Sequence, residues 1–146
     1  MKKIAFCTLL LFALFSCGTE DRSKTNQSDI MQTEKERMQP DGIVRLSKIE
    51  VYPQYVDEYI KYATEVGEIS LRSEPGVLTM YAVREKDNPC MVTILETYAS
   101  QKAYEEHIAS EHFQKYKQGT LHMVKSLVLS DQIPLNPANK IHNFIQ

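Results

Sequence analysis

From Ile43 to Val51 apolar and polar residues alternate in a run rich in β-branched side chains, IVRLSKIEV, which is the two-residue period of a half-buried strand. The period then lengthens. Pro53 opens a helix at a position where its missing N–H costs nothing. Val56, Tyr59, Ile60, Ala63, Val66, Gly67 and Ser70 share one face at spacings of three and four, with Asp57, Glu58, Lys61, Glu65 and Glu68 largely opposite. Pro75-Gly76 stops this helix. Alternation returns from Val77 to Glu85, with Leu78, Met80 and Ala82 on one face and Val77, Thr79, Tyr81 and Val83 on the other. Lys86-Asp87-Asn88-Pro89 is a turn, and a third strand follows from Cys90 to Tyr98. Ser100 and Ser110 are N-cap residues, so the stretch Ala103 to Tyr116 divides into one helix over Gln101 to Ala109 and a second from Glu111. The inward face of the second, Phe113, Tyr116, Thr120 and Val124, carries it to about Lys125. Ser126 to Leu135 closes the pattern as a fourth strand, and Pro134 and Pro137 keep its far end out of a central ladder.

The order β-α-β-β-α-β predicts an α+β domain of the ferredoxin-like, split βαβ type. Helices cover one face of such a sheet. The other, to which Met80, Leu95 or Ile94, and Val128 are assigned, is too apolar to face water and calls for a second sheet from an identical subunit.

The ends of the chain have a different character. Lys2 and Lys3 precede an uncharged apolar run from Ile4 to Phe15, the shape of a secretory signal. Leu14-Phe15-Ser16-Cys17-Gly18 resembles a bacterial lipobox, which implies cleavage after residue 16 and lipidation of Cys17. Residues 17–41 read as a polar, lipidated tether, 42–136 as the domain and 137–146 as a C-terminal tail. The expected location is the bacterial cell envelope, on a lipid anchor in the outer membrane, facing the periplasm or the surface. With Cys7 gone and Cys17 acylated, Cys90 has no disulfide partner. Loss of the leader leaves 15 basic and 19 acidic residues, a net charge of −4, which offers no basic field for nucleic acid.

Three motifs in order resemble the antibiotic biosynthesis monooxygenase family, the dimeric α+β barrel proteins that include quinol monooxygenases. They are Ser70-Leu71-Arg72-Ser73-Glu74-Pro75-Gly76 followed by Tyr81; Asn88-Pro89 before the third strand and Glu96-Thr97-Tyr98 at its end; and Ala103, His107 and His112-Phe113. The resemblance implies a homodimer and a reaction in which a hydroquinone or polyphenol bound between sheet and helices loses a proton and passes an electron to molecular oxygen. It places His107 as base or substrate partner and His112 as its support, with Tyr81, Tyr98, Phe113, Tyr116 and Ser47 around the substrate. Imidazole suits that work because it accepts a proton near neutral pH. The five glycines are scattered and no G-x-G-x-x-G occurs, so neither a flavin nor a nicotinamide is called for.

Each feature also has a plainer reading. Glu74-Pro75-Gly76 serves as a helix stop, Glu96 can anchor Arg45 or Arg72 as readily as take part in chemistry, and both histidines can be packing residues at the helix break. Heme-degrading relatives resemble the chain through the same helix pair. They place an iron-ligating histidine one turn beyond the Phe and an asparagine on the first strand, where this chain has Tyr116-Lys117 and Ser47, and they use a tryptophan, of which it has none. No metal is expected, because His107 and His112 lie five apart across a helix break and His122 falls on another face. Tyr98 occupies a position that is Trp in many of the family. A non-catalytic envelope module that holds a small ligand in the same cavity is the alternative function.

Overall fold

The computed structural model describes residues 34–136. Cys17 and its lipobox, and the tail 137–146, lie outside the described residues. The alternating run forms β1 (Ile43–Val51), and Pro53–Tyr55 makes a single 3-10 turn leading into α1 (Val56–Ser73). Then come β2 (Val77–Arg84), β3 (Met91–Tyr98), α2 (Gln101–Ala109), α3 (Glu111–Thr120) and β4 (Val124–Asp131). The four strands form one antiparallel sheet in the order β2-β3-β1-β4, the ferredoxin-like α+β arrangement. No described helix is long and apolar enough to cross a membrane.

The three helices lie on one face. Ser47, Ile49 and Val51 of β1 and Val92, Ile94 and Tyr98 of β3 point under them and are buried. Ile49, Val51, Val92 and Ile94 pack with Tyr59 and Met123 in one cluster, and Leu71, Val77, Tyr98, Ala99 and Ala103 form another. Each fully buried large apolar side chain in these clusters stabilises the fold by about 1.5–3 kcal/mol.

Two sequence expectations need correction here. Ile94 and Met80 do not belong to the uncovered face. Ile94 pairs with Ser47 on the helix side, and Met80 packs against both core clusters. The cause at β2 is a register shift between Val77 and Thr79, which makes Leu78 an extra residue and brings Val77 into the core. Leu95, which pairs with Leu46 and Tyr81, and Val128, opposite Lys48, do lie on the outer face. The other correction is the end of α3, at Thr120 rather than Lys125. Met123 N–H turns back to Thr120 O at 2.9 Å, and Tyr52 N–H holds Met123 O at 2.9 Å, so Val124 already belongs to β4.

Part of the stretch read as a tether is fastened to the domain. Glu36 N–H donates to Pro75 O at 3.0 Å, Gln39 N–H to Ala99 O at 2.7 Å, and Lys35 Nζ to Glu74 O at 2.8 Å.

Gly76 is required by close approach. A Cβ there would stand 2.4 Å from Ala103 Cβ, and α2 cannot recede because Ala99 N–H is bonded to Gly76 O at 2.8 Å. Gly76→Ala is expected to destabilise the fold by about 1–3 kcal/mol, the usual cost of overpacking. A lowered urea midpoint would register it, and an unchanged midpoint would show that β2 and α2 can part at no cost.

Candidate functional site

The break between the last two helices builds the site. Ser110, in extended conformation, caps both: its hydroxyl donates to His107 O at 2.7 Å and accepts from Phe113 N–H at 3.3 Å. That double cap sets His107 at the end of α2 and His112 at the start of α3. From the other side, α1 stops at Ser73 because Pro75 cannot continue it, and Glu74 turns out in extended geometry with its N–H on Ser70 O. Its carboxylate meets both imidazoles. Oε1 lies 2.9 Å from His107 Nδ1 and 2.6 Å from His112 Nε2.

These contacts fix protons. Burial alone would raise the Glu74 pKa, but the hydrogen bonds from His107 and His112, helped by His107's charge interaction, outweigh it and hold the carboxyl below the ordinary range. An ionised Glu74 can only accept, so Nδ1 of His107 and Nε2 of His112 carry the hydrogens. His107 is 2% exposed and its ring lines a cavity; no group among the described residues bonds its Nε2, so that nitrogen is left for a ligand. His112 does not line the cavity and reaches His107 through Glu74 and through Ser110, whose hydroxyl lies 3.1 Å from His112 Nε2.

The cavity, about 440 Å³, lies between the sheet and all three helices. Tyr98 and Phe113 flank the His107 ring, with centroids at 5.3 and 4.8 Å. Tyr116 stands beyond Phe113, its hydroxyl 2.6 Å from that of Tyr59. Ser47 and Glu96 meet on the floor at 2.5 Å, and Tyr98 OH donates to the other oxygen of Glu96 at 2.7 Å. Tyr81, 59% exposed on the edge strand, stands at the rim. The structure therefore places Ser47, Tyr81, Tyr98, His107, Phe113 and Tyr116 around one space and His112 behind it.

Glu96 is not the anchor of an arginine. Arg45 bonds Asp131 at 2.6 Å and lies over the Tyr104 ring, while Glu96 takes its bonds from two hydroxyls. Glu74 is the residue that sequence reasoning left as a helix stop. Its distance from His107 in the chain hid the contact; the available cue was a carboxylate at a helix end in the same motif set as two histidines.

Glu74, His107 and His112 are also the described residues that could hold a metal ion, since their ligand atoms lie within 4.8 Å of one another. Two histidines and a carboxylate suit Zn²⁺ or Fe²⁺. Local histidine spacing missed this grouping because the third member comes from the end of α1. As built, both rings use a proton to bind Glu74, and metal ligation would require both to be given up.

The comparisons agree on the family. The model of the antibiotic biosynthesis monooxygenase family matches residues 42–119. The chain is similar to a protein of known structure from Bacteroides thetaiotaomicron, described as a candidate antibiotic biosynthesis monooxygenase, with 52% identity, a TM-score of 0.68, and coverage of 69% of this chain and 96% of that one. A candidate monooxygenase from Lactobacillus acidophilus is 29% identical with a TM-score of 0.63, over 66% of this chain and 46% of that one. A Caulobacter crescentus structure shares the fold at 21% identity, with a TM-score of 0.61 over 66% of this chain and 92% of that one. A search of curated proteins finds no match. With more than half its length matched by the family model, and the cavity set between sheet and helices, the chain belongs to the antibiotic biosynthesis monooxygenase family.

Proposed function

We propose that the protein is a cofactor-independent monooxygenase that oxidises a quinol or polyphenol-like small aromatic with molecular oxygen. The observation that carries this reading is His107, which lines an aromatic-walled cavity with its Nε2 unbonded among the described residues while an ionised Glu74 holds its Nδ1–H. A base in that state takes a phenolic proton, and Glu74 stabilises the imidazolium that forms. The resulting phenolate is electron-rich enough to give one electron to oxygen. Recombination of the ring radical with superoxide forms a C–O bond, and loss of water leaves a hydroxylated quinone. For hydroquinone, one molecule of substrate and one of dioxygen give one hydroxybenzoquinone and one water, with both reducing equivalents drawn from the substrate. Tyr98, Phe113 and Tyr116 supply ring faces against which the substrate stacks.

The subunit is proposed to work as a homodimer. Val128 is 57% exposed and Tyr81 59%, and with Leu46 and Leu95 they give the sheet an apolar outer face. β4 is bare on its other face too, with Leu127 55% and Leu129 52% exposed beside the cavity, which favours a partner reaching over this strand and the residues after it. Anchoring in the cell envelope through Cys17 is part of the same proposal and rests on the lipobox resemblance.

An oxygen electrode tests the activity. The protein, offered hydroquinone, methylhydroquinone and catechol in turn, is expected to consume oxygen with at least one of them without added flavin or metal, yielding a hydroxyquinone and little peroxide. Tight binding with no oxygen uptake would replace the enzyme by a ligand-binding module. Stoichiometric peroxide would mean an oxidase.

A further inference from the structure

Two carboxylates line the cavity, the exposed Glu68 and, on the floor, Glu96. Glu96 has about four lone-pair directions, of which the Ser47 and Tyr98 hydroxyls occupy one on each oxygen. No Lys, Arg or His among the described residues lies within ion-pair distance of it. Arg45, opposite it on β1 and itself on the cavity wall, has its guanidinium engaged by Asp131 at 2.6 Å and by the face of Tyr104, and makes no ion pair with Glu96. The charge is felt around the wall. The hydroxyls of Tyr98, Tyr59 and Tyr116 are held protonated chiefly by burial, and in each case the nearby Glu96 adds to the effect.

Glu74 also bears a charge, but two imidazole N–H groups satisfy it behind His107. Glu96 faces a half-apolar space walled by Tyr98, Tyr104, Phe113 and Tyr116, with acceptor capacity to spare. In such surroundings a carboxylate binds a hydrogen-bond donor strongly and repels a second anion more than it would in water.

We infer that Glu96, seated by Ser47 and Tyr98, is a specificity-determining subsite that accepts a phenolic hydroxyl of the bound ring and excludes rings bearing a carboxylate. This rests on the reading of the cavity as a quinol site and adds the charge class of the substrate. Of the hydroxyls on a quinol, one is then bound at Glu96 and another is free for His107.

The test is binding by isothermal titration calorimetry, under nitrogen at pH 7, to the full chain, using hydroquinone, 2,5-dihydroxybenzoate and its methyl ester. The acid and the ester have nearly the same bulk and differ in charge. The wild type is expected to bind hydroquinone and the ester about equally and the acid at least about tenfold more weakly. Glu96→Gln, which keeps the volume and removes the charge, should narrow the gap between acid and ester to less than about threefold. Equal binding of acid and ester by the wild type, exclusion of the ester as strong as that of the acid, an unchanged gap in Glu96→Gln, or no binding of any of the three overturns the inference. The comparison of acid with ester needs only the wild type, so it stands even if the variant does not fold. Oxygen is absent throughout, so failure of turnover would count against the monooxygenase alone.

Discussion

His107→Ala is expected to lower the rate of oxygen consumption by about 10²–10⁴, the range over which a positioned general base contributes, while leaving the family fold in place. The imidazole is the group that lines the cavity with a nitrogen to spare, and alanine removes the proton acceptor while leaving the rings of Tyr98, Phe113 and Tyr116 in the chain. Glu74→Ala reaches the same chemistry indirectly. It leaves Nδ1 of His107 and Nε2 of His112 without their shared acceptor, so the tautomer and tilt of His107 are no longer dictated. A drop of roughly 10–100-fold is expected, as when a histidine loses its orienting partner. Stability should fall too, by on the order of 2 kcal/mol, because the His107 N–H stays buried and unpaired.

The acid limb distinguishes charge from packing. The folded Glu74 carboxyl titrates below its unfolded value, so its stabilisation is complete above the unfolded pKa, about 4.3, and is lost as pH falls through the folded one. The gap in thermal midpoint between wild type and Glu74→Gln should therefore narrow as pH falls below about 4.3. A His107→Ala protein that consumes oxygen at the wild-type rate would remove His107 from the chemistry, and a gap that does not respond to acid would remove the charge from the stability of Glu74.

Much of this site was legible before folding, for a physical reason. β1 and α2 begin and end where their periodicity and caps place them, because alternation, Pro53 and Ser100 act locally. The same periods place the strand and helices that carry Tyr98, His107, Phe113 and Tyr116, while the family resemblance is what singled those residues out. Three features did not follow from local periods. The spacing Phe113, Tyr116, Thr120, Val124 continues to look helical past Thr120, and only the contact of Met123 with Tyr52 turns the chain into β4. The extra residue in β2 reverses the parity of Val77, which no alternation count can see. Glu74 is tied to His107 across 33 positions, a contact made only when the end of α1 packs beside the α2 and α3 junction. Local periods thus placed the elements, the family resemblance named the wall residues, and tertiary packing supplied the carboxylate that holds the Nδ1–H of His107.

Leu95→Glu is expected to turn the proposed dimer into a monomer. Leu95 lies on the outer face of β3, between Leu46 on β1 and Tyr81 on β2, in the middle of the sheet. If a second copy covers this face about a twofold axis, every substitution enters the interface twice. Burying a carboxylate costs several kcal/mol after relaxation, and Lys48, the basic side chain on this face, stands two residues along β1 from Leu46 and would have to be buried with it to offset the charge. A penalty of roughly 4 kcal/mol for the pair raises the dissociation constant about 10³-fold, enough to take a tight dimer apart at micromolar concentration. Sedimentation velocity would show the wild type as a dimer and Leu95→Glu as a monomer that still gives the circular dichroism of an α+β fold. The monomer should also lose oxygen consumption, because Leu127 and Leu129 then leave the cavity open along β4 and water competes with the developing phenolate. A wild-type monomer at micromolar concentration, or a Leu95→Glu dimer, would mean that some other surface or no surface at all meets the second subunit.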